Sequence, residues 1–322
     1  MSRRTPAWPA DEWLRFLDRF AIWIVLLLLL AVAALLSDAF LRPNYLFNIL
    51  RQAAPVGIAA VGVTLVMIAG GVDLSVGAII SLTAVVSAVL MEGDAANIPY
   101  AVVVTLLVGT AIGLANGMLI AFNRVSPFIL TLGMAIVIYG ITQIYSGGTA
   151  RGVVAPGFRE VFNTRIGGLV PVLALAFALV AVLGMFVQRA TRFGRSLYLI
   201  GSNAAAARLA GLPIARVTVT AYAISGFCGA LGGMALLARS GVSSTFAGRG
   251  LEFDVLAAVV LGGTTFEGGR GGIDGTVAGL LVLVLAFNLV NIVGLDYNAQ
   301  LMVKGAIIIA ASALYARLKV QR

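Results

Sequence analysis

The stretch Val66–Leu82 reads VMIAGGVDLSVGAIISL, which places an aspartate behind two glycines and between two apolar runs. A carboxylate at membrane depth is costly and is tolerated inside a helical bundle, at a helix terminus or beside water. Asp73 lies where it can cap the next helix, and Ser75 follows just before the second apolar run. Gly70 and Gly71 allow the backbone to turn or break there. An interrupted apolar hairpin of this kind is typical of transporters.

The composition is that of a polytopic membrane protein. Hydrophobic residues make up 61% of the 322 residues and charged residues only 11%, which excludes an ordinary soluble domain. The chain has no histidine, so His-based acid–base catalysis and His-ligated metal sites are excluded. The single cysteine, Cys228, cannot form an intrachain disulfide. We expect no cofactor and no bound metal. The sequence also has no GxxxxGK nucleotide loop, so an ATP-driven process would need another chain to hydrolyse the nucleotide.

The spacing of the apolar runs predicts an all-α membrane bundle of about ten transmembrane helices, because each run can cross about 30 Å of hydrocarbon. The polar leader is long and no small-x-small cleavage site follows the first run, so we interpret that run as a retained span. Residues 1–19 then form an N-terminal segment and residues 20–318 the transmembrane domain. The runs are Phe20–Leu36, Ala53–Ala69, Leu74–Leu90, Tyr100–Phe122, Phe128–Tyr145, Leu169–Val187, Val217–Ala238, the short Phe253–Thr265, Gly275–Val293 and Ala299–Ala316.

The chain has a net charge of +9, and its basic residues cluster in the short loops between apolar runs, where they indicate membrane topology. With the N-terminus in the cytoplasm, fourteen basic loop residues lie inside and seven outside. This asymmetry predicts that both termini, including the segment 1–19, are cytoplasmic. No basic stripe with interleaved aromatic residues is present, so we expect no nucleic-acid partner.

Few polar residues interrupt the apolar runs, and they are Thr64, Asn116, Gln143, Ser225, Asn288, Asn291, Gln300 and Lys304. Asn288 and Asn291 share one helix face, and so do Gln300 and Lys304. Two interpretations stay open for the whole set of eight residues. They line a hydrophilic path through the bundle, or they form hydrogen bonds between helices.

Glycines recur every four residues at Gly109, Gly113 and Gly117. Such spacing makes one smooth helix face that another helix can approach closely. We therefore interpret these glycines as packing residues. A second phrase, GGID at Gly271–Asp274, echoes GGVD at Gly70–Asp73, although the chain has 38 glycines and the echo is not evidence of a repeat.

Residues 188–216 form the most basic internal loop and are predicted to be cytoplasmic. Ser202 or Asn203 can cap a short helix over Ala204–Ala210, and Gly211 is a suitable stop. A small-residue helix flanked by arginines suits a groove on a soluble partner. From composition alone, an amphipathic segment lying on anionic lipid is an equal alternative.

Several phrases, in this order and spacing, resemble the permease subunits of bacterial ABC sugar importers of the ribose, xylose and galactose type. The resemblance runs from about Asn44 to Lys319. It is carried by NYLFNIL at Asn44–Leu50, GGVDLSVG at Gly70–Gly77, TRFGR at Thr191–Arg195, GSN at Gly201–Asn203, AARLAG at Ala206–Gly211, EFD at Glu252–Asp254, LGGT at Leu261–Thr264, GGRG at Gly268–Gly271 and GT at Gly275–Thr276.

The resemblance implies a permease of the bacterial cytoplasmic membrane with several partners. These are an ABC ATPase subunit, a periplasmic sugar-binding protein, a second permease copy or paralogue, and the surrounding lipid. It also implies that a short cytoplasmic helix docks on the ATPase, and this role falls on Asn203, Ala206, Ala207, Arg208 and Gly211. Val72 in place of the more usual isoleucine and the added charge of Glu267 are small departures.

The mechanism that the resemblance implies is alternating access driven by the separate ATPase, so the chain itself is not an enzyme. The candidate pathway and hinge residues are Gly70, Gly71, Asp73, Ser75, Asn288, Asn291, Gln300 and Lys304. A self-contained secondary transporter or channel for a small polar solute is the alternative, although the spans lack the carboxylates of a proton relay. An intramembrane enzyme lacks a credible base. The sequence does not identify the transported sugar.

Overall fold

The computed structural model describes residues 10–37, 40–123 and 125–292, and then residues 294, 298–299, 301–302, 305–306 and 309, with side chains from residue 22 onward. Gln300 and Lys304 lie outside the described residues, as does most of the predicted last span. Within the described part the chain is helical, except for loops and one small hairpin.

The helices follow the predicted apolar runs. In chain order they are α1 (Ala10–Leu36), α2 (Pro43–Ile68), α3 (Val76–Met91), α4 (Ile98–Asn123, after a 3₁₀ turn at Ala95–Asn97), α5 (Pro127–Ser146), α6 (Pro156–Asn163), α7 (Val172–Ala190), α8 (Arg192–Ser202), α9 (Ala204–Leu209), α10 (Ile214–Ser240), α11 (Leu251–Leu261) and α12 (Ile273–Ile292). Between α6 and α7, β1 (Arg165–Ile166) pairs antiparallel with β2 (Val170–Pro171).

Six helices of the described residues are long and apolar enough to cross a membrane: α2, α4 with its preceding turn, α5, α7, α10 and α12. The apolar part of α1 (Ile22–Leu36) and α3 are shorter. The chain is thus an all-α, multi-pass membrane bundle. The number of ten spans and the cytoplasmic termini stay predictions.

Two helices differ from their predicted spans. α1 begins at Ala10, ahead of the apolar run, so part of the predicted N-terminal segment 1–19 is helical. α11 has only 11 residues, which is about 16 Å at 1.5 Å per residue and too short to cross a bilayer alone. It ends because Gly262 and Gly263 turn the chain, and Gly263 has φ +89°. The predicted run Phe253–Thr265 is therefore not a span in itself.

The centre of the bundle is formed by α2 and α10. In their most apolar stretches 78% of the residues are buried, against 22% in those of α4 and α5. α10 packs against α2, α3 and α4. Large apolar side chains are exposed along α4, α5 and α7, where a soluble protein would bury them. These helices therefore present their outer faces to lipid.

The glycines of α4 pack directly on α10, as predicted. A Cβ atom placed on Gly109 would lie 2.6 Å from the carbonyl oxygen of Gly226, and one on Gly117 would lie 2.7 Å from the Cα of Val219. A Cβ on Gly113 would overlap the carbonyl group of Tyr222. The two backbones approach so closely that no side chain fits between them.

The substitution Gly113→Ala is expected to lower stability by about 1–3 kcal/mol, because the added methyl group meets rigid backbone. The measurement is the melting temperature of the purified protein in detergent. Gly133→Ala is the matched control, because nothing lies within 4 Å of a Cβ placed on this glycine of α5. Equal melting temperatures for the two variants would contradict the packing interpretation.

Candidate functional site

The break between α2 and α3 is a short, tightly specified turn. Gly70 has φ +82°, in the region that favours glycine. Its amide donates to the carbonyl of Met67 at 2.9 Å, and the amide of Gly71 donates to that of Val66 at 3.0 Å. These bonds satisfy the last carbonyls of α2. Gly71 has no room for a side chain, since a Cβ would lie 2.7 Å from the hydroxyl oxygen of Tyr222.

Asp73 is completely buried behind this turn. Its Oδ1 accepts hydrogen bonds from the amide and the hydroxyl of Ser75, at 3.0 Å and 2.6 Å. Its Oδ2 accepts one from the hydroxyl of Ser225 on α10, at 2.7 Å. The predicted helix cap is wrong in detail, because Ser75 is the N-cap of α3 and the carboxylate bonds to Ser75 itself rather than to the first turn. Asp73 instead ties the start of α3 to α10.

Two further helices join this polar group. Asn116 of α4 donates from Nδ2 to the hydroxyl oxygen of Ser75 at 2.9 Å. Asp73, Ser75, Asn116 and Ser225 are all buried, and we call them the Asp73 cluster. Thr131 of α5 accepts a hydrogen bond from the amide of Leu74 at 3.1 Å, so α5 also holds the turn.

The cluster lies deep within the bundle. Ser225 follows Ile214, the first residue of α10, by eleven positions in a helix of 27 residues. This is about 16 Å along the helix. Within the described residues no basic side chain forms an ion pair with Asp73. The carboxylate is satisfied by three donors and by the N-terminal end of α3, whose dipole favours negative charge.

The same turn contacts two other backbone segments through glycines. The carbonyl of Ile68 accepts a hydrogen bond from the amide of Gly269 at 2.8 Å. A Cβ on Gly201, near the end of α8, would overlap that carbonyl and the Gly269 amide. A Cβ on Gly268 would lie 2.6 Å from the nitrogen of Gly70. We call Gly70, Gly201, Gly268 and Gly269 the glycine junction. It brings the ends of α2 and α8 into direct contact with the loop before α12.

The sequence echo at Gly271–Asp274 does not reproduce the environment of Asp73. Asp274 lies in the first turn of α12 and forms an ion pair with Arg189 at 2.9 Å, with both side chains about half exposed. The amide of Ile273 donates to Gln188 of α7 at 2.9 Å. This second aspartate therefore fastens α12 to the end of α7 at the surface.

The predicted short helix is present as α9, with the predicted residues at both ends. Asn203 accepts a hydrogen bond from the amide of Ala206 at 3.0 Å and so caps the helix. Gly211 has φ +77° and its amide donates to the carbonyl of Arg208 at 3.0 Å. Asn203 is also the C-cap of α8, so a single residue separates the two helices.

α9 is attached to the bundle through Ala207. This residue is buried, whereas the other residues of α9 are exposed. Arg208 points a charge outward, and Leu209 is 91% exposed. A large apolar side chain beside a charge on an otherwise Ala-rich helix gives a partner both a contact and an orientation.

The remaining predicted residues do not join the Asp73 cluster. Asn288 donates to the carbonyl of Val284 at 2.7 Å and accepts from the hydroxyl of Tyr45 on α2 at 3.4 Å, which favours the helix-packing interpretation. Asn291 is exposed near the end of α12. Gln300 and Lys304 cannot be placed, since they lie outside the described residues.

Of the partners of Asp73, Ser75 was predicted as a site residue, whereas Asn116 and Ser225 were predicted only as members of the wider set of polar residues within the spans. Asn116 and Ser225 stand out in the sequence as polar residues inside apolar helices, which is the only signal they give. Tyr222, which donates to the carbonyl of Val72 at 3.0 Å, gives none. Which helix face meets the α2–α3 turn depends on long-range packing.

The chain belongs to the family described as branched-chain amino acid transport system / permease component, whose model matches residues 45–312. It is 38% identical to the ribose import permease protein RbsC of Escherichia coli K12, over 89% of this chain and 90% of that protein. It is 35% identical to RbsC of Bacillus subtilis, over 92% of each chain. It is also 35% identical to the galactose/methyl galactoside import permease protein MglC of E. coli K12, over 96% of this chain and 98% of that protein.

These similarities confirm the resemblance to sugar ABC permeases that the motifs indicated. The relatives are named as permeases of import systems, so the chain is a transport component rather than an enzyme. No solved structure shows a significant match to the chain.

Replacing Asp73 by alanine is expected to destabilise the protein by about 3 kcal/mol or more, because three buried donors lose their acceptor. Asp73→Asn keeps one acceptor oxygen and should lose less stability than Asp73→Ala. Thermal unfolding in detergent measures both. Asp94→Ala is the matched control, because Asp94 accepts from the amide two residues later, as Asp73 does, but is exposed. A loss for Asp73→Ala no larger than for Asp94→Ala would show that the cluster does not hold α3.

Proposed function

We propose that the chain is the permease subunit of an ABC importer in the bacterial inner membrane, which translocates a pentose or hexose. An extracytoplasmic binding protein delivers the sugar, a second permease copy or paralogue completes the pathway, and a separate ATPase supplies the energy. Relatives named for ribose and for galactose support the substrate class. The observation that carries the proposal is the exposed helix α9, joined through one residue to α8, which ends against the α2–α3 break.

The proposed orientation places α9 and the loop 188–216 in the cytoplasm, together with both termini. In this orientation the end of α2, the glycine junction and the start of α12 face the cytoplasmic side, and α6 with the hairpin faces outward. The basic residues of the loop, Arg189, Arg192, Arg195, Arg208 and Arg216, agree with this orientation.

The proposed coupling runs from the ATPase to the bundle interior. Closure of the ATPase pair displaces α9, and α8 follows because only Asn203 lies between them. Gly201 near the end of α8 then presses on the backbone at Ile68, with no flexible side chain between the two. Gly70 and Gly71 absorb the backbone change, as hinge residues do. The Asp73 cluster keeps the start of α3 attached to α10, so these two helices move together.

A self-contained secondary transporter or channel is the alternative. It would need a site for a coupling ion, and among the described residues Asp73 is the fully buried carboxylate. Both of its oxygens are already engaged by hydroxyl and amide donors, which disfavours that use. Uptake of sugar by the chain alone in liposomes without ATP would establish the alternative.

The first test is a pull-down of the tagged chain from its native membrane, with mass spectrometry of the accompanying proteins. We expect an ATPase and a sugar-binding protein. Arg208→Glu should reduce the recovered ATPase by about tenfold, because it reverses a charge at the docking surface. Arg192→Glu, at another exposed arginine of the same loop, is the control. A wild-type chain that arrives without an ATPase would overturn the proposal, and undiminished recovery with Arg208→Glu would overturn the role of α9.

A second test concerns the glycine junction. Gly201→Ala is compatible with the helical backbone of α8, so its effect arises from overlap with Ile68 and Gly269. We expect normal ATPase binding but about a tenfold loss of sugar transported per ATP hydrolysed, in proteoliposomes with the binding protein. Gly140→Ala, on α5 with nothing within 4 Å of the added Cβ, should behave as wild type. Equal coupling in both variants would show that the junction does not transmit the movement.

A further inference from the structure

The chain turns back into the bundle after α10. Residues 241–250, which we call the re-entrant segment, connect the end of α10 to α11 without forming a helix. The amide of Gly248 donates to the hydroxyl of Ser81 on α3 at 2.8 Å. A Cβ on Gly77 would lie 2.7 Å from the carbonyl oxygen of Gly248. The segment therefore runs beside the first turns of α3.

These turns of α3 lie at the level of the middle of α10. A Cβ on Gly229 would lie 3.0 Å from the Cγ2 of Ile79, and Gly229 is well inside the 27-residue helix Ile214–Ser240. The tip of the re-entrant segment is therefore at membrane depth, about 16 Å from the end of α10. The sequence did not predict this geometry, because the apolar residues of the predicted eighth span belong to the short helix α11.

The position of the re-entrant segment restricts what it can face. Non-helical backbone at membrane depth occurs where it is buried in protein or lines a water-filled cavity. Arg249 is exposed and Phe246 is 50% exposed on this segment. A guanidinium group facing hydrocarbon costs several kcal/mol, roughly 3 or more. This surface must therefore meet water or another protein rather than lipid.

The side chains here have complementary chemistry. The guanidinium of Arg249 lies 5.6 Å from the ring centroid of Phe246. Glu252, in the first turn of α11, accepts from the amide of Gly250 at 3.0 Å. Tyr139 of α5 lies close to both charged groups and to Ser81, and its hydroxyl is buried. A donor, an acceptor, a hydroxyl and an aromatic face thus meet at one place.

We propose that Tyr139, Phe246, Arg249 and Glu252 form a sugar-contacting stretch of the translocation pathway. The arginine donates to sugar hydroxyls, the glutamate accepts from them, and the tyrosine hydroxyl can do either. The phenylalanine ring packs against the C–H face of the sugar. The opposite charges of the arginine and the glutamate suit a neutral solute. The proposal rests on the proposed function in one respect, which is that the transported solute is a sugar.

Accessibility of single cysteines tests which medium the segment faces. In a Cys228→Ala background, Phe246→Cys and Arg249→Cys should react with a charged, water-soluble methanethiosulfonate reagent in the assembled transporter. Leu179→Cys, at a 60% exposed position in the middle of α7, is the lipid-facing control and should stay unlabelled. Cycling with ATP and sugar-loaded binding protein should change the labelling rate at the first two sites by about tenfold, as the pathway opens and closes.

Transport gives the second readout. Phe246→Ala should reduce the maximal rate of sugar uptake by about tenfold while ATPase binding stays normal, whereas Phe186→Ala, at a 62% exposed position of α7, should transport as wild type. An unlabelled segment in a transporter that moves sugar would overturn the proposal. So would oxidative cross-linking of Arg249→Cys between two permease copies, because the segment would then be a contact between copies. Neither result would affect the ATPase pull-down, on which the proposed function depends.

Discussion

A carboxylate group inside a membrane bundle needs hydrogen-bond donors in place of water, and in this chain the α2–α3 turn and helix α10 supply them. Asp73 accepts from Ser75 and Ser225, and Asn116 extends the network to α4. The start of α3 is thereby bound to α10, which is central to the bundle. Much of the architecture depends on this tie. The close α4–α10 packing and the turn at Gly70 both place their backbones around it.

The other organising principle is contact between backbones. Glycines line the place where α8, the α2–α3 turn and the loop before α12 meet. The backbones are therefore in direct contact, with no flexible side chains between them. Close-packed interfaces tend to have discrete arrangements rather than continuous deformation, which suits an element that switches between two states. The polar cluster and the glycine junction thus have complementary roles. The cluster keeps α3 and α10 together, and the junction connects the α2–α3 turn to α8, which is followed directly by the exposed helix α9.

Local patterns predicted local structure well. The apolar runs located the long helices, the Asn203 and Gly211 signals located α9 to within one residue, and Gly70 was placed correctly at a turn. Features that depend on distant residues were not predictable. An apolar run does not distinguish a span from α11 joined to a re-entrant segment. Likewise, Asn116, Ser225 and Tyr222 are 41 or more positions from the residues they bond near Asp73, and nothing local marks the pairing.

Asn203 belongs to two helices at once, since it ends α8 and caps α9. Because one residue ends α8 and begins α9, an insertion or deletion here would reorient α9. Loops ordinarily vary in length among homologues, whereas a connection of one residue leaves little room for a change in length. If α9 docks on the ATPase, as proposed, adaptation of the permease to a different ATPase would occur at the exposed positions of α9, with Ala207 and the two ends of the helix held fixed. In related transporters, a few side chains of α9 would then determine which ATPase the permease binds, and the length of the loop would not.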